Sequence, residues 1–281
     1  MMSVAKLHTL KEQGKKIVAI TAYDYSTAQI IESAGVDMIL VGDSLAMVAL
    51  GYKDTQIITI DEMCVFVRAV AKGAKNSFVV GDMPFMSYNI SVEQGLENAT
   101  KMIKAGASAI KIEGENAYLL NLVSRCKICG IPVLAHLGFT PQFMNMFGGY
   151  KVQGKTYEAT KELLLSAKRL EEAGAFGVVL EMVPEESAKY ITDNISIPTF
   201  GIGAGRYCSG QILVSDDVLG KFSDFTPKFA RKYANMGEVI RTAVSQYADD
   251  VRKANFPAEQ EIFKLSSDEY NKLKEDIDFV S

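Results

Sequence analysis

The stretch KMIKAGASAIKIEGEN, residues 101–116, contains one complete copy of the unit from which the chain is built. A helical segment over 92–105 ends at Ala105-Gly106, where glycine supplies the left-handed cap that turns the chain back. A six-residue run follows, SAIKIE over 108–113, and it stops on charge. Lys111 and Glu113 are two residues apart, so both side chains leave the strand on the same face. Charges on an otherwise apolar strand are costly to bury unless they meet partner charges or an anionic ligand.

The same unit recurs on either side. Short apolar runs stand at IVAIT (17–21), MILVG (38–42), FVVGD (78–82) and PVLAH (132–136), then at GVVLE (177–181), PTFGI (198–202) and ILV (212–214). Such runs suit parallel strands covered on both faces. Helical segments are expected between them over 24–34, 59–73, 117–129, 156–173 and 184–193, and Ala34-Gly35 and Ala173-Gly174 repeat the break. Eight strands in this alternation predict an α/β fold, a closed (β/α)₈ TIM barrel, with an open doubly wound sheet as the alternative. The chain's 281 residues exceed the roughly 250 such a barrel needs. Residues 1–281 therefore read as a single barrel domain with extra C-terminal helices. Helices are expected over 227–254 and 266–277, and 255–281 forms a charged helical extension, expected to pack outside the core or cap the barrel.

Composition narrows the function. A formal charge of −4 offers no electrostatic case for nucleic acid or an anionic membrane. The opening MMSVAKLHTLKEQGKK is polar, with no apolar signal segment, and His8 within it reads as a surface residue. No stretch reaches the roughly 18 apolar residues of a membrane span, so a cytoplasmic enzyme is the expectation. Cys126 and Cys129 form a CxxC, but no second CxxC exists, which argues against four-thiolate zinc. Both are expected to be buried as small apolar residues of a helix.

Polar residues terminate the strands. Asp43 and Ser44 follow the second, Asp82 closes the third, and Lys111 and Glu113 the fourth. His136 closes the fifth and Glu181 the sixth. In a parallel barrel these ends share one rim, where active sites of this fold are built. Four carboxylates converging there repel unless something positive sits between them. A divalent ion is the economical answer, and carboxylates with water favour Mg²⁺-type ions over Zn²⁺. The long segment 138–155, with Gly138, Gly148, Gly149 and Gly154, reads as a lid or as mobile surface. Gly201-Ile202-Gly203-Ala204-Gly205 is a weak dinucleotide signal; a tight turn or close backbone approach to a ligand fits better.

Ten ordered motifs carry a family resemblance. They are TAYDYSTAQI (21–30), LVGDSLAMV (40–48), GDMPFMSY (81–88), AIKIEGE (109–115) and AHLGFTPQ (135–142). GGYKVQGK (148–155), LEMVPEE (180–186), FGIGAG (200–205), GQILVSDDVLG (210–220) and PKFARKYA (227–234) continue the series. From about residue 5 to about residue 263 the chain closely resembles ketopantoate hydroxymethyltransferases. The resemblance implies one Mg²⁺ per subunit, a homodecamer and 5,10-methylenetetrahydrofolate as co-substrate. It also implies hydroxymethyl transfer to 3-methyl-2-oxobutanoate through a metal-stabilised enolate, giving 2-dehydropantoate for pantothenate and coenzyme A. Carried over by motif, Asp43 and Asp82 are metal ligands and substrate contacts, and Glu113 completes the metal site through water. Ser44 and Lys111 hold the oxo acid, His136 lines its pocket, and Glu181 is the general base.

Phe66, Ser209 and Asp216 depart from residues common in that family. Two other readings compete with it. A carbon–carbon lyase of a related barrel type typically carries a catalytic cysteine after a strand. A non-catalytic barrel subunit is expected to lose the strand-end carboxylates.

Overall fold

The computed structural model describes residues 1–221 and 227–277. Eight strands pair in sequence order and close on themselves: β1 (Ile17–Thr21), β2 (Met38–Val41), β3 (Phe78–Asp82), β4 (Ala109–Glu113), β5 (Val133–Gly138), β6 (Gly177–Glu181), β7 (Thr199–Ile202) and β8 (Gly210–Leu213). Every pair is parallel, and β1 pairs with both β2 and β8, which excludes the open sheet. All residues of β2, β3 and β4 are buried, as continuous apolar strands between two cores require. One core fills the barrel, with Met38, Phe78, Leu134 and Phe200 among its members. The other lies between the strands and the surrounding helices and includes Val67, Met102, Leu122 and Leu170.

The helices follow their local signals. They are α1 (Val4–Glu12), α2 (Tyr25–Ser33), α3 (Leu45–Val48), α4 (Ile60–Gly73), α5 (Val92–Ala105) and α6 (Ala117–Ile128). Then come α7 (Met144–Phe147), α8 (Tyr157–Ala173), α9 (Glu185–Asp193), α10 (Ser215–Leu219), α11 (Met236–Arg252) and α12 (Ser267–Ile277). Thr59 and Glu62 form a reciprocal capping box on α4, and Asp24, Ser91, Asn116 and Thr156 each accept from the backbone N–H three residues on. Gly106 and Gly174 adopt the left-handed conformation at the ends of α5 and α8, as their position after "Ala" suggests.

Three features depart from the sequence reading. The polar leader is a helix. Ser3 caps α1, and its Leu7 is fully buried in the barrel core. His8 is half-buried, with Nε2 3.0 Å from the Phe176 carbonyl, and Lys11 donates to the carbonyls of Ile195 and Ile197 at 2.7 and 2.8 Å. Leu7 shares its core with Ile17 and Phe78, residues at the N-terminal ends of their strands, so α1 closes that mouth. Leu7 is its fully buried anchor, and Met2, Val4 and Leu10 pack, partly buried, against the same core, a stripe hidden among polar residues. Second, 227–235 is not helical: Pro227 to Ala230 form a turn and Tyr233 N–H bonds the Val218 carbonyl. This puts the Phe229 ring over Gly203, where a Cβ would lie 2.7 Å from it. Third, β8 begins at Gly210, whose missing side chain admits the Ile17 carbonyl; a Cβ there would lie 2.5 Å from that oxygen. The strand expected over 212–214 thus starts two residues earlier, because glycine at 210 lets it pair closely with β1.

Residues 1–234 form one compact unit. A second begins at Asn235 and holds α11, the 3₁₀ turn Glu259–Glu261 and α12. Within it, Tyr247 and Phe256 pack edge to face at 5.5 Å. Among the described residues no helix is long and apolar enough to cross a membrane.

The placement of Leu7 predicts that Leu7→Ala costs about 2–5 kcal/mol, since it empties a fully buried site. Urea unfolding of the two proteins measures it. A difference below about 1 kcal/mol would show α1 to be dispensable to the core.

Candidate active site

Strand register brings the polar ends together. Asp82 stands opposite Lys111, Glu113 opposite His136, and Gly138 opposite Glu181. These ends open into a cavity of about 200 Å³. Asp43, Ser44, Asp82, Lys111, Glu113, His136 and Glu181 all line it, together with Thr21, Tyr150 and Phe229. Every site residue expected from the sequence is therefore on one wall or another of the same cavity.

A buried charge network organises the floor. Lys111 Nζ donates to both oxygens of Asp82, at 2.8 and 2.9 Å, and to Glu113 Oε1 at 3.1 Å. The Asp43 backbone N–H donates to Asp82 Oδ2 at 3.1 Å. His136 Nδ1 lies 3.2 Å from Glu113 Oε1, and its Nε2 lies 3.2 Å from Glu181 Oε2. The second contact is close enough for charge attraction, though its angle is not that of a hydrogen bond. Glu181 is the most open of the four carboxylates, its side chain 13% exposed, whereas those of Asp82 and Glu113 are all but sealed.

Titration follows from these neighbours. Burial disfavours the Lys111 ammonium, but Asp82, Glu113 and Asp43 outweigh it and hold its pKa well above the usual lysine range. Burial would raise Glu113, yet Lys111 and then His136 pull it down to about 2. Burial and Lys111 push His136 down, but Glu113 and Glu181 prevail and lift it to about 9. Burial, and after it the Asp82 charge, drives Asp43 well above the usual carboxylate range. The deficit is thus unequal: Glu113 is satisfied and Asp43 is not. Five carboxylates, Asp43, Asp82, Glu113, Glu181 and Asp217, line the cavity against two cations, Lys111 and His136, and the ionised form of Asp43 is disfavoured there. Replacing a buried ion network with apolar residues is often neutral or stabilising, so stability does not account for it. Among the described residues no three His, Cys, Asp or Glu side chains converge tightly enough to hold a metal unaided. The two aspartates suit an ion that keeps much of its water.

The backbone aims Glu181. Met182 has φ +49°, a strained value for a residue with a side chain. Gly138 has φ +91°, and a Cβ there would lie 2.3 Å from the Glu181 carbonyl oxygen, which accepts the Phe139 N–H at 2.8 Å. The expected lid is ordered at its start as a 3₁₀ turn (Pro141–Phe143) leading into α7. GIGAG is a turn: Gly203 and Gly205 have φ +62° and +71°, and Phe229 and Glu185 pack where Cβ atoms would be.

Several participants escaped the sequence reading. Gln142, buried, donates from Nε2 to Asp43 Oδ2 at 3.1 Å and from its backbone N–H to Glu113 Oε2 at 3.0 Å. Tyr88 accepts the Glu113 N–H at 3.1 Å, and Tyr23 joins Thr21 to Ser44 through hydroxyl contacts of 2.8 and 2.9 Å. These residues lie on loops or strand ends without periodicity, and only their membership of the quoted motifs marked them. The departures lie elsewhere: Phe66 packs on the outer core, Ser209 pairs with Thr199, and Asp216 accepts from Ser215 at 3.3 Å. Of the CxxC pair, Cys126 is buried, its thiol pushed up to about 12 by burial, but Cys129 is exposed as the C-cap of α6. The i, i+3 spacing failed there because the helix ends before the second thiol turns inward. Cys208 is buried and is not among the cavity-lining residues.

His136 gives a direct test. Its folded pKa lies above the ordinary 6.5, so its contribution to stability is complete below about 6.5 and is lost as pH rises through about 9. Imidazole NMR of chelator-treated protein should show one histidine titrating near 9, assigned with a His8→Asn variant because only two histidines exist. A midpoint below 7 would break the Glu113–His136–Glu181 arrangement.

Comparison with known proteins agrees with this geometry. The sequence pattern of the family described as ketopantoate hydroxymethyltransferase matches residues 1–259. A 3-methyl-2-oxobutanoate hydroxymethyltransferase of Clostridium botulinum is 51% identical over 272 residues, 96% of this chain and 98% of its own. One from Thermosipho melanesiensis is 51% identical over 263 residues, 94% of this chain and 99% of its own. Among solved structures, a phosphonopyruvate hydrolase complex with oxalate and Mg²⁺ superposes with a TM-score of 0.59 at 16% identity, covering 97% of this chain and 98% of that one. 2,3-Dimethylmalate lyase, of the PEP mutase/isocitrate lyase superfamily, does so with 0.59 at 16%, covering 99% of each. At such identity these two share the fold alone, whereas the relatives at half identity over nearly their whole length share much more: the chain is an enzyme belonging to the ketopantoate hydroxymethyltransferase family.

Proposed function

We propose that this enzyme transfers a hydroxymethyl group from 5,10-methylenetetrahydrofolate to 3-methyl-2-oxobutanoate, giving 2-dehydropantoate. The observation that carries the reading is the gathering of seven strand-end residues around one cavity in which carboxylates outnumber cations. Asp43 and Asp82 would hold a divalent cation, Mg²⁺, an ion commonly bound through one or two carboxylates. Glu113, its oxygens already engaged by Lys111, His136 and Gln142, acts on the ion through water. Bound there, the cation supplies Lewis acidity that makes the C3 proton of a 2-oxo acid removable.

The remaining chemistry belongs to the chain. Lys111, charged because its pKa is raised, is an electrostatic partner for the oxo acid and not a Schiff-base nucleophile. Ser44 offers its hydroxyl to the same substrate, and Tyr23 orients it. Glu181 takes the C3 proton, and His136 beside it stabilises the carboxylate until that moment. Water adds its oxygen to the folate methylene carbon while both carbon–nitrogen bonds break and its two protons go to the nitrogens of the departing tetrahydrofolate. The C3 carbon bonds to the one-carbon unit so released, and the proton taken by Glu181 passes to the new alkoxide, which becomes the hydroxyl. The start of the lid, over 141–147, excludes bulk water from the floor of the cavity. The lyase reading has no cysteine at the cavity to support it.

We also propose a cytoplasmic homodecamer. Supporting self-association, no residue of α11 is buried although Val239, Ile240, Val244, Tyr247 and Val251 are apolar.

Glu181→Gln should slow deuterium exchange at C3 of 3-methyl-2-oxobutanoate about 10²- to 10⁴-fold, the range a general base contributes. Proton NMR in D₂O with Mg²⁺ and no folate measures it, and Mg²⁺ affinity should be unchanged. Exchange at the wild-type rate would remove Glu181 from the role of base.

A further inference from the structure

Gln142 is 1% exposed and engages every hydrogen-bonding group it carries. Its backbone N–H holds Glu113 Oε2 at 3.0 Å, and its carbonyl accepts from Gln56 Nε2 at 2.8 Å. Its side-chain Nε2 donates to Asp43 Oδ2 at 3.1 Å and to the Met83 carbonyl at 2.9 Å, while Oε1 accepts from the Tyr88 hydroxyl at 2.7 Å.

The orientation of the amide is set by its neighbours. The Tyr88 oxygen already accepts the Glu113 N–H at 3.1 Å, so its single proton goes to Gln142 and marks the acceptor end. The opposite end meets a carboxylate and a carbonyl. Neither can donate, so the NH₂ must stand there. A flip would place oxygen against two acceptors in a buried site and leave all of them unpaired.

This fixed amide fixes Asp43. One carboxylate oxygen, Oδ2, is tied to Gln142; among the described residues no protein donor meets Oδ1. The carboxylate plane is therefore held with one oxygen free. The same residue holds the far oxygen of Glu113 through its backbone, so both carboxylates are oriented from a single point. That point lies in the 3₁₀ turn that begins the lid. The turn cannot withdraw without releasing Asp43 and Glu113 together.

We infer that Gln142 is a positioning residue for the metal site: its amide presents Asp43 Oδ1 to the cation and latches the 141–147 segment to the ion-binding carboxylates. The inference rests on the reading that Asp43 and Asp82 hold a divalent cation. Coupling of this kind is reciprocal: if the closed segment strengthens ion binding, ion binding strengthens closure by the same factor.

The test uses Mn²⁺ as the probe. It is titrated into chelator-stripped full-length protein, free ion being read by electron paramagnetic resonance, for wild type, Gln142→Met, Tyr88→Phe and Asp43→Asn. Gln142→Met keeps the length of the side chain and the backbone bond to Glu113 but removes the amide. Its Mn²⁺ affinity should fall about 10- to 100-fold, as for partners that orient a metal ligand. Amide hydrogen exchange read by mass spectrometry gives a second readout: Mg²⁺ should slow exchange over 141–147 in the wild type and fail to do so in Gln142→Met. A purely structural glutamine predicts lower thermal stability with Mn²⁺ affinity and the Mg²⁺ effect on exchange intact, and that result overturns the inference. Should Gln142→Met not fold, Tyr88→Phe removes the donor that holds Gln142 Oε1, which loosens the amide and must weaken Mn²⁺ binding; unchanged affinity there overturns the inference as well. If wild type and Asp43→Asn bind Mn²⁺ alike, the metal reading itself falls, and the inference with it.

Discussion

The structure turns on one buried ammonium group. Lys111 sits on the fourth strand with Asp82 on the third and Glu113 two residues beyond, and it donates to both. A lysine in a dry interior is tolerable only with such partners, and two carboxylates so close together are tolerable only with such a lysine. The trio therefore demands that neighbouring strands be parallel, in this register, with their C-terminal ends on one rim. It also leaves the mouth short of positive charge. Lys111 answers Asp82 and Glu113, His136 answers Glu113 and Glu181, and Asp43 is left without an equal partner. The site is built to an incomplete electrostatic balance, and that incompleteness is what a cationic ligand would fill.

Rigidity around the mouth comes from several small devices acting on different side chains. The left-handed Gly138 lets β5 and β6 approach at the Glu181 carbonyl, and the strained Met182 turns the chain away immediately after the base. The Tyr88 hydroxyl and the Gln142 amide orient the acidic floor. Tyr23 bridges Thr21 and Ser44. Pre-arranged dipoles and charges of this sort need no reorganisation when charge develops on a substrate, which is the main route by which such sites accelerate reactions.

The two ends of the barrel divide the labour. At the N-terminal mouth α1 seals the core with Leu7 and is tied down by His8 and Lys11 to backbone carbonyls from distant strands and loops. This end concerns stability. The C-terminal mouth buries a polar network and is open through the cavity. Because the ends are far apart in function, the chemistry can accept local strain that the rest of the fold absorbs.

Alternating apolar runs and capped helices determined a parallel α/β sheet, because an apolar strand without polar alternation must be covered on both faces; that the sheet closes was decided by the pairing of β1 with β8. The charged strand ends determined Asp43, Asp82, Lys111, Glu113, His136 and Glu181, because side-chain period and strand direction place them on one rim before any coordinates are known. Only the tertiary structure decided the rest. Leu7, with Val4 and Leu10 packed beside it, anchors α1 in a stretch that reads as polar, and Gly210 joins β8 because a distant carbonyl needs the space. Gln142 and Tyr88 gain their roles from hydrogen bonds to residues tens of positions away, and Cys129 turned outward where its helix ended. Periodicity and capping are local properties of the chain and can be read along it, whereas the partners of a loop side chain are fixed only when strands remote in sequence are brought side by side.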